Sequence, residues 1–472
     1  MIVTQLNDFI ARVRGGMAVT APLDPGFVPM AAFLSHYESG LTDANSVPAA
    51  LSLERESEHS TSFRLRVYKD EAEWGDINRA LVERLAKTML WAYGGFRLRV
   101  AAPGYLVDHL RGAYRPGGAR AFDADFMSNV YERPFTIDPV ALEDIPPDKS
   151  GARTVGRHLD GCRIGFDAGG SDRKVSAVVD GEAVYSEEVV WHPKTQSDPS
   201  YHYEGILAAF RSAAERMPRV DGIGVSSAGI YVANRARVAS LFLKVPKDRF
   251  DAEVNDIYIR AAKAIGDVPL EVANDGDVTA LAGAMDLNEN SVLGIAMGTS
   301  EAGGFVDHDG NITGWLNELA FVPVDFNPEA MVDEWSGDIG CGVKYFSQDA
   351  AAKLAPAAGI KLDESLTPAE KLKVTQAEAA GGHAGALAIY DTIGVYLGWE
   401  LAWYARFYQI KHVLILGRVT SGVGGERALA KARETLAAVD PALAGRLTLR
   451  LPDESSRRVG QSIAAASLPQ TN

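Results

Sequence analysis

Short apolar runs that end in glycine-rich turns recur along this chain, and the pattern predicts strands that enter the loops of a mixed α/β fold. The first run begins at Ile164 and ends in a pair of glycines before Lys174. A second apolar run, Val175–Val179, follows and ends at the hairpin-turn signal Asp180-Gly181. The glycines are therefore predicted to lie between two strands. This excludes the dinucleotide-binding and P-loop motifs, because both need a helix directly after the glycines.

Three later segments follow the same design. Val292–Phe305 is predicted to be a second strand-turn-strand hairpin. Val268–Ala284 and Val413–Gly425 each begin as an apolar strand and lead into a helix, which for the latter is expected to start near Glu426. The two glycine hairpins and the glycine-rich turn after Val413 together predict a nucleotide cleft between two similar lobes.

Residues 1 to about 158 show a different pattern. Ser62–Val67 alternates apolar and polar positions like a strand, Asp76–Tyr93 has apolar residues at helical spacing, and Phe96–Ala101 resembles a second strand. A short helix near Gln5–Arg14 is expected before this β-α-β pattern, and Ile145–Ser150 is expected to be a linker. Because no pair of short helices carries a basic recognition face, a DNA-binding domain is disfavoured. We expect a small α/β domain of unknown role.

Polar residues outside these patterns are concentrated in two predicted loops. Ala119–Thr136 carries Asp123 and Asp125, and an acidic loop is preferred there over a sugar or metal contact. The segment after the first hairpin carries His192 and His202, whose spacing is too loose for a metal site. Solvated or locally hydrogen-bonded histidines are expected.

The first glycine turn carries the groups that a polyphosphate site needs. Gly169 and Gly170 allow the backbone to approach a phosphate closely, and Ser171 can donate a hydrogen bond to it. Lys174 adds a positive charge, and Asp167 could hold Mg2+ through water. A tight hairpin without a ligand is the alternative, and this turn alone does not decide between the two.

The order of these segments resembles the actin/hexokinase/Hsp70-type ATPase fold, and more narrowly the ROK family of sugar kinases and related repressors, over residues 162–468. The resemblance implies an α/β protein with a two-lobed actin-like ATPase (ribonuclease H-like) fold and an additional small N-terminal α/β domain. The implied bounds are 1–158 for the N-terminal domain, 159–285 with the C-terminal helix 455–472 for the first lobe, and 286–454 for the second lobe.

The resemblance also assigns roles to residues of this sequence. The family's catalytic Asn-Asp pair matches Asn274-Asp275, so that Asn274 would bind substrate and Asp275 would accept the proton of the attacking hydroxyl. An unburied aspartate titrates at about pH 4 and would be available as a base at neutral pH. A helix N-cap is the alternative role of Asp275. Ser227 and Gly229 match a substrate-side segment, although a strand-end turn explains them equally well.

Two further groups of residues match the family's ATP-binding turns, and a final helix matches as well. The turns are Gly298, Thr299 and Ser300 in the second hairpin, and Gly417, Ser421 and Gly422 on the adenosine side. The final helix matches Ser456–Ala466.

The chain departs from the ROK pattern at the sugar and zinc positions. Glu318 matches the sugar-contacting glutamate, whereas Phe321 stands where the family has a histidine that helps to hold sugar and zinc. Only Cys341 remains of the family's zinc-binding cysteine cluster, and one thiol cannot build a four-ligand site. We therefore expect no structural zinc, and the altered pocket does not favour glucose as the substrate.

The resemblance implies an ATP-dependent carbohydrate kinase that phosphorylates a hydroxyl of a sugar or sugar-like polyol, with ATP and Mg2+ as cofactors. A catalytically altered sugar-binding or regulatory protein on the same fold is the first alternative. A partner-coupled ATPase, like the activators of radical dehydratases on this fold, is the second. Those activators need clustered cysteines for an iron–sulfur centre, and Cys162 and Cys341 are far apart in sequence. The resemblance also makes a homodimer the default expectation.

Composition agrees with this class of protein. The chain has 472 residues, of which 47% are hydrophobic and 23% charged, as in ordinary globular proteins. A net charge of −15 argues against a nucleic-acid partner, and Ala384–Tyr404, the longest hydrophobic run, contains acids that indicate a buried helix and no membrane partner. The two cysteines and an N-terminus without a secretory signal are typical of a cytoplasmic protein.

Overall fold

The computed structural model describes residues 2–149, 155–451 and 457–471. Its strands are β1 (Ser46–Glu54), β2 (Ser60–Tyr68), β3 (Arg97–Ala101), β4 (Thr136–Pro139), β5 (Cys162–Ala168), β6 (Asp172–Val179), β7 (Glu182–Val190), β8 (Gly222–Ser227), β9 (Ile230–Val232), β10 (Arg235–Val238), β11 (Leu270–Asn274), β12 (Val292–Met297), β13 (Glu301–Val306), β14 (His412–Leu416) and β15 (Thr448–Arg450).

The α-helices of the described residues lie between these strands in the chain, singly or in consecutive groups. They are α1 (Ile2–Gly15), α2 (Met30–Ser39), α3 (Glu71–Tyr93), α4 (Gly104–Tyr114), α5 (Ala121–Tyr131), α6 (Pro199–Ala214), α7 (Lys247–Arg249), α8 (Ile257–Lys263), α9 (Asp275–Leu287), α10 (Gln348–Leu354), α11 (Pro368–Ala380), α12 (Ala384–Tyr404), α13 (Val423–Val439), α14 (Pro441–Ala444) and α15 (Arg457–Ala466). Ser456, where the final helix was predicted to begin, lies outside the described residues, as do 452–455 and 472.

Contacts between residues divide the chain into two compact units. Unit 1 contains residues 1–150, 295–303 and 315–451, and unit 2 contains residues 151–294, 304–314 and 452–472. Two of the five boundaries fall within β12 and β13, which carry the chain from one unit to the other, and the remaining three lie after residues 150, 314 and 451. The N-terminal region shares its unit with most of the predicted second lobe, and the predicted division into three domains stays a prediction.

The main sheet of unit 2 decides the fold class. β5, β6 and β7 form an antiparallel meander, β8 pairs parallel with β5, and β11 pairs parallel with β8. The spatial order is β7-β6-β5-β8-β11, or 3-2-1-4-5 when the strands are numbered within this sheet. This order is that of the ribonuclease H-like fold, on which actin-like ATPases are built. The predicted α/β fold class is confirmed, and both glycine turns lie between two strands as predicted.

The C-terminal helix α15 packs closely against this sheet because two glycines face it. Gly165 on β5 and Gly224 on β8 are register partners. A Cβ at Gly165 would overlap the carbonyl oxygen of Ser462, and one at Gly224 would overlap that of Ala465. Ile164 and Phe166 alternate with Gly165 along β5 and are buried in the hydrophobic cluster on the other face of the strand.

In unit 1, the N-terminal sheet has the order β2-β1-β3-β4, with β1 antiparallel to both neighbours and β3 parallel to β4. The central strand β1 was not predicted from the sequence. The helix predicted from Asp76 begins earlier, at Glu71, because the Asp70 side chain accepts hydrogen bonds from the backbone N–H groups of Ala72 and Glu73 and so caps α3.

Both predicted polar loops are in fact partly helical. Ala119–Thr136 contains α5, whose side chains Asp123, Met127 and Val130 are buried at helical spacing, so the expectation of an acidic loop was wrong. His202 was also expected in a loop, but it lies in α6 and is fully buried, with Nε2 3.0 Å from the carbonyl oxygen of Pro193.

Two other helices of unit 1 were predicted from the hydrophobic pattern, and the predicted bounds are correct for one of them only. Ala384–Tyr404 is a largely buried helix, as predicted. The helix expected near Glu426 begins at Val423 instead, directly after Gly422, whose φ of 71° turns the chain. Within the described part of the chain, no helix combines the length and apolar character that crossing a bilayer requires.

Aromatic side chains join the N-terminal region to the rest of unit 1. Phe33 stacks on Phe326 with ring centroids 3.7 Å apart, and Phe63 stacks on Phe407 at 5.2 Å. The Tyr93 hydroxyl donates a hydrogen bond of 2.6 Å to the carbonyl oxygen of Phe407. Residues 2–149 and 315–451 therefore pack against each other through these aromatic side chains.

Candidate functional site

Asp167 lies at the carboxyl end of β5. The strands parallel to it, β8 and β11, end at the same edge of the sheet. Ser226 on β8 is the register partner of Asp167, and the Ser226 hydroxyl donates a hydrogen bond of 2.9 Å to Asp167 Oδ1. Gln461 on α15 reaches the same atoms, with Nε2 3.3 Å from Asp167 Oδ1 and 3.1 Å from Ser226 Oγ. Ligands of open parallel sheets bind at this edge. The contacts of Gln461 and Ser226 with Asp167 were not predicted, because they join segments far apart in sequence.

Asn274 and Asp275 have separate positions at the end of β11. Asn274 caps α9, because its Oδ1 accepts a hydrogen bond of 2.7 Å from the Gly276 N–H. Its Nδ2 donates to the carbonyl oxygen of Gly229 at 2.8 Å, which fixes the turn after β8. Asn274 is therefore the N-cap, and Asp275 is the first residue of the helix. The capping role that was the alternative for Asp275 belongs to Asn274.

The carboxylates of Asp167 and Asp275 both have raised pKa values. Burial raises the pKa of Asp167 to about 6, the Ser226 hydrogen bond opposes this, and the negative charge of Asp275 adds to it. Burial also raises the pKa of Asp275, while backbone hydrogen bonds and the positive charge of Lys194 lower it. Asp275 is half-buried. The assumption of an unburied aspartate was therefore wrong, and the site holds two acids in a partly desolvated environment.

The first glycine turn is held by Trp191, which follows β7. The Trp191 indole N–H donates a hydrogen bond of 2.7 Å to the carbonyl oxygen of Gly169, and its backbone N–H donates one of 3.1 Å to that of Ser171. Both bonds use carbonyl groups of the turn. Ser171 and Gly170 are exposed at the surface of unit 2.

Two lysines lie near this turn, and only one of them was predicted. A Cβ built on Gly170 would lie 2.9 Å from Cε and 3.1 Å from Nζ of Lys194, so this ammonium group lies over the turn. Lys174 has its Nζ 3.8 Å from both Asp172 and Glu188, so its charge is shared with acids of the hairpin. Lys194 and Trp191 were missed because no spacing signal marks them, and their segment was considered only for its histidines.

The predicted substrate-side residues of unit 2 are closely packed. Ser227 is fully buried, and its hydroxyl is 2.6 Å from the Tyr231 hydroxyl and 2.9 Å from the Tyr258 hydroxyl. Gly229 has a φ of 138°, and a Cβ there would overlap the carbonyl oxygen of Val238. Their contact with substrate stays a prediction.

The other predicted ATP-binding residues lie in unit 1, in two adjacent turns. In the second hairpin, the Gly298 N–H donates to the Ser300 carbonyl at 2.9 Å, and Thr299 and Ser300 are exposed. Gly417, with a φ of 97°, approaches the end of β12 so closely that a Cβ would overlap the Met297 carbonyl oxygen. The structure thus brings both turns together, with Ser421 and Gly422 exposed beside them.

Glu318 and Phe321 lie in a segment of unit 1 that contacts α3. The Glu318 N–H donates a hydrogen bond of 3.0 Å to the carbonyl oxygen of Trp91, and the Phe321 ring lies against the Trp91 ring with centroids 4.2 Å apart. The Glu318 residue is half-buried. Phe321 therefore occupies an aromatic cluster in place of the histidine that the resemblance implies.

Cys341 lies in an environment dominated by charge. Its Sγ is buried and 3.8 Å from Asp338 Oδ2, and burial raises the pKa of the thiol to about 11. Burial also acts to raise the pKa of Asp338, but the positive charges of Arg84, Lys87 and Arg120 outweigh it and hold that pKa far below its usual range.

Comparison with known proteins adds structural neighbours only. No family model matches the chain, and no curated protein sequence matches it. Its structural neighbours include ROK proteins. A ROK hexokinase from Thermus thermophilus is 19% identical with a TM-score of 0.47, over 64% of this chain and 97% of that one.

Two further neighbours differ in what they are described as doing. A ROK family glucokinase from Streptomyces griseus, solved with glucose and AMPPNP, is 19% identical with a TM-score of 0.46, over 65% of this chain and 98% of that one. A ROK family transcriptional regulator, a homologue of the E. coli MLC protein, is 17% identical with a TM-score of 0.45, over 66% of this chain and 79% of that one. These neighbours come from the family that the sequence motifs resemble.

Proposed function

We propose that the protein is an ATP-dependent kinase that phosphorylates a hydroxyl group of a sugar or sugar-like polyol. The observation that carries the proposal is the arrangement at one edge of the unit 2 sheet. Two partly desolvated carboxylates, Asp167 and Asp275, lie at the carboxyl ends of the parallel strands that flank β8, and an exposed glycine turn with Lys194 over it follows β5. Phosphoryl transfer needs these parts: a base, a metal-binding acid and groups that neutralise phosphate charge.

The residues present suit Mg2+ and a polyphosphate. Burial raises the pKa of Asp167, the negative charge of Asp275 adds to this, and a bound cation would favour the ionised carboxylate against both effects. Mg2+ prefers carboxylate oxygens and retained waters, which a strand-end aspartate can accommodate. The turn Gly169–Ser171 has no side chain larger than a hydroxyl, so a phosphate can approach its backbone closely.

The chain's own groups then have defined tasks. Asp275 accepts the proton of the attacking hydroxyl, and its negative charge is maintained by backbone hydrogen bonds and by Lys194. Asp167, oriented by Ser226 and Gln461, presents its carboxylate to Mg2+, which supplies charge neutralisation at the phosphates when bound. Lys194 adds a positive charge at the glycine turn. Glu318 orients the hydroxyl groups of the acceptor.

The test is ADP release from Mg-ATP with a panel of hexoses, amino sugars, acidic sugars and polyols. We expect acceptor-dependent turnover that Asp275→Asn lowers by about 10²- to 10⁴-fold, the usual contribution of a general base. The matched control is Asp286→Asn, an exposed aspartate on the same helix, which should leave turnover unchanged.

An absence of turnover with every acceptor would overturn the kinase proposal. If wild-type protein and Asp275→Asn then bound ATP or a sugar equally well in calorimetry, a sugar-binding or regulatory protein on the same fold would be favoured. Acceptor-independent ATP hydrolysis would instead favour the partner-coupled ATPase.

A further inference from the structure

Helix α3 of the N-terminal region contacts two separate segments that follow β13 in the chain. Its last residues bond to the segment around Glu318, and its middle bonds to the segment around Asp338. All of these residues belong to unit 1. One helix therefore links the predicted acceptor-binding glutamate to a charged cluster deeper in the same unit.

The contact with the Glu318 segment is made by backbone and ring together. The N–H groups of Asn317 and Glu318 donate hydrogen bonds of 3.0 Å each to the carbonyl oxygens of Ala92 and Trp91. Trp91 is fully buried, packs its ring against Phe321, and donates its indole N–H to Asp123 at 2.9 Å. The end of α3 thus fixes both the backbone before Glu318 and the aromatic side chain three residues after it.

The contact with the Asp338 segment is an ion-pair cluster. Asp338 Oδ2 lies 2.8 Å from Arg84 Nη1, 2.8 Å from Lys87 Nζ and 2.6 Å from Arg120 Nη1. The Lys87 side chain is 0% exposed, so its charge depends on compensation by Asp338 and by Asp123 at 3.5 Å. These contacts cross-link the segment before Cys341 to α3, in a region where one thiol alone could not hold a metal.

We propose that α3 positions the Glu318 segment for acceptor binding, with Trp91 as the positioning residue, and that Lys87 holds the Asp338 segment to the same helix. The part of this inference that concerns the acceptor rests on the proposed kinase function. Because orientation of the acceptor hydroxyl determines how well the reacting atoms meet, a looser segment should weaken acceptor binding without affecting the nucleotide. The N-terminal region then contributes to substrate choice by positioning this segment, without contacting the acceptor itself.

The experiment uses Trp91→Leu and Trp91→Phe in the full chain, with Trp74→Leu as the matched control. Trp74 lies on the same helix and stacks on Tyr68 at 3.6 Å. Hydrogen exchange of peptides covering residues 315–323 measures the segment directly. An aromatic pair contributes about 0.5–1.5 kcal/mol, so Trp91→Leu should speed exchange there by up to about ten-fold. Trp91→Phe keeps a ring on Phe321 and should restore slow exchange, and Trp74→Leu should not affect these peptides.

If Trp91→Leu folds poorly, a second variant, Lys87→Met, and the KM for the acceptor provide further tests. Lys87→Met should speed exchange of the peptide covering residues 333–341. In the ADP-release assay, Trp91→Leu should raise the KM for the acceptor by up to about ten-fold, with kcat and the KM for ATP nearly unchanged. Unchanged exchange in both segments, or equal effects of Trp74→Leu and Trp91→Leu, would overturn the inference. If wild-type protein lacks turnover, the kinase proposal fails, and the exchange data still decide whether α3 positions the segment.

Discussion

Charge at the first glycine turn comes from two lysines whose partners differ. Lys174 shares its ammonium group with Asp172 and Glu188, whereas Lys194 lies over Gly170 and acts on the charge of Asp275. We expect Lys194→Met to lower kcat/KM for ATP by about 10²-fold, the usual loss when a group that stabilises transition-state charge is removed. Lys174→Met is the matched control and should cost less. Steady-state ADP release with varied ATP measures both, and a larger loss for Lys174→Met would show that the assignment is reversed.

Residues of the candidate site were predictable only where a local pattern marked them. Asp167 and Asp275 each follow an apolar strand directly, so their positions could be predicted from the sequence. Trp191, Lys194 and Gln461 reach the site from segments that lie 20 or more residues from Asp167, through contacts that only the folded chain creates. The raised pKa of Asp275 has the same origin, because burial depends on tertiary packing.

At the scale of elements, the close contact of α15 with β5 requires a residue without a side chain at position 165. A Cβ at Gly165 would overlap the carbonyl oxygen of Ser462, and overpacking of this kind costs about 1–3 kcal/mol. We expect Gly165→Ala to lower the free energy of unfolding by about that amount. The control is Gly112→Ala on α4, where nothing lies within 4 Å of the new methyl group. Because alanine favours helix by about 1 kcal/mol, the control should be stabilised. Urea unfolding followed by circular dichroism measures both, and equal stability of the two variants would contradict this packing.

Two glutamates with raised pKa values, Glu301 on β13 and Glu400 on α12, are buried in the structure. Burial raises the pKa of Glu301 to about 8, against a hydrogen bond from Tyr404 at 3.2 Å. Burial and the charge of Glu301 also raise the pKa of Glu400. The folded chain therefore binds more protons than the unfolded chain between about pH 4.5 and 8. Its stability should fall as pH rises through this range, by at most about 1.4 kcal/mol per pH unit for each group.

The variant Glu301→Gln removes this titration. We expect it to match the wild-type protein well below pH 4.5, where Glu301 is protonated in both the folded and the unfolded state, and to become more stable than the wild-type protein as pH approaches 8. Urea unfolding midpoints at intervals of pH give the two curves. Glu378→Gln on α11 changes an exposed glutamate and should follow the wild-type curve. Parallel curves for Glu301→Gln and the wild-type protein would show that Glu301 is ionised in the folded state.

Elements were predictable where the hydrophobic pattern is strong, as in the long apolar run of α12 and in the hairpin of β5 and β6. β1 was missed although it is an internal strand of its sheet, because residues on both of its faces are buried and its sequence therefore lacks simple alternation. α5 was missed because its acids suggested solvent exposure, whereas Asp123 is buried and accepts a hydrogen bond from Trp91. Charge compensation between distant segments is not visible in a local pattern.

The sequence predicted that residues 1–158 form a separate domain. At the scale of the whole molecule, the structure places residues 2–149 in unit 1. Their aromatic side chains complete the core of unit 1 through the pairs Phe33 with Phe326 and Phe63 with Phe407. Buried ions join the same parts, because Asp338 pairs with Arg84 and Lys87. Removing one member of such a set leaves unpaired charge and exposed apolar surface, and each is costly.

The chain shortened to residues 151–472 is therefore expected not to fold as a stable protein, although it contains every residue assigned to ATP and acceptor binding. Deleting the N-terminal region would expose Phe326 and Phe407 and leave Asp338 without its buried cations, so unit 1 would lose its core. Circular dichroism melting and dye binding to exposed apolar surface would measure this on refolded material beside the full chain. The fragment is expected to melt without a cooperative transition and to bind the dye strongly. A cooperative transition near that of the full chain, with weak dye binding, would instead establish residues 1–150 as an accessory domain that packs on a self-sufficient fold.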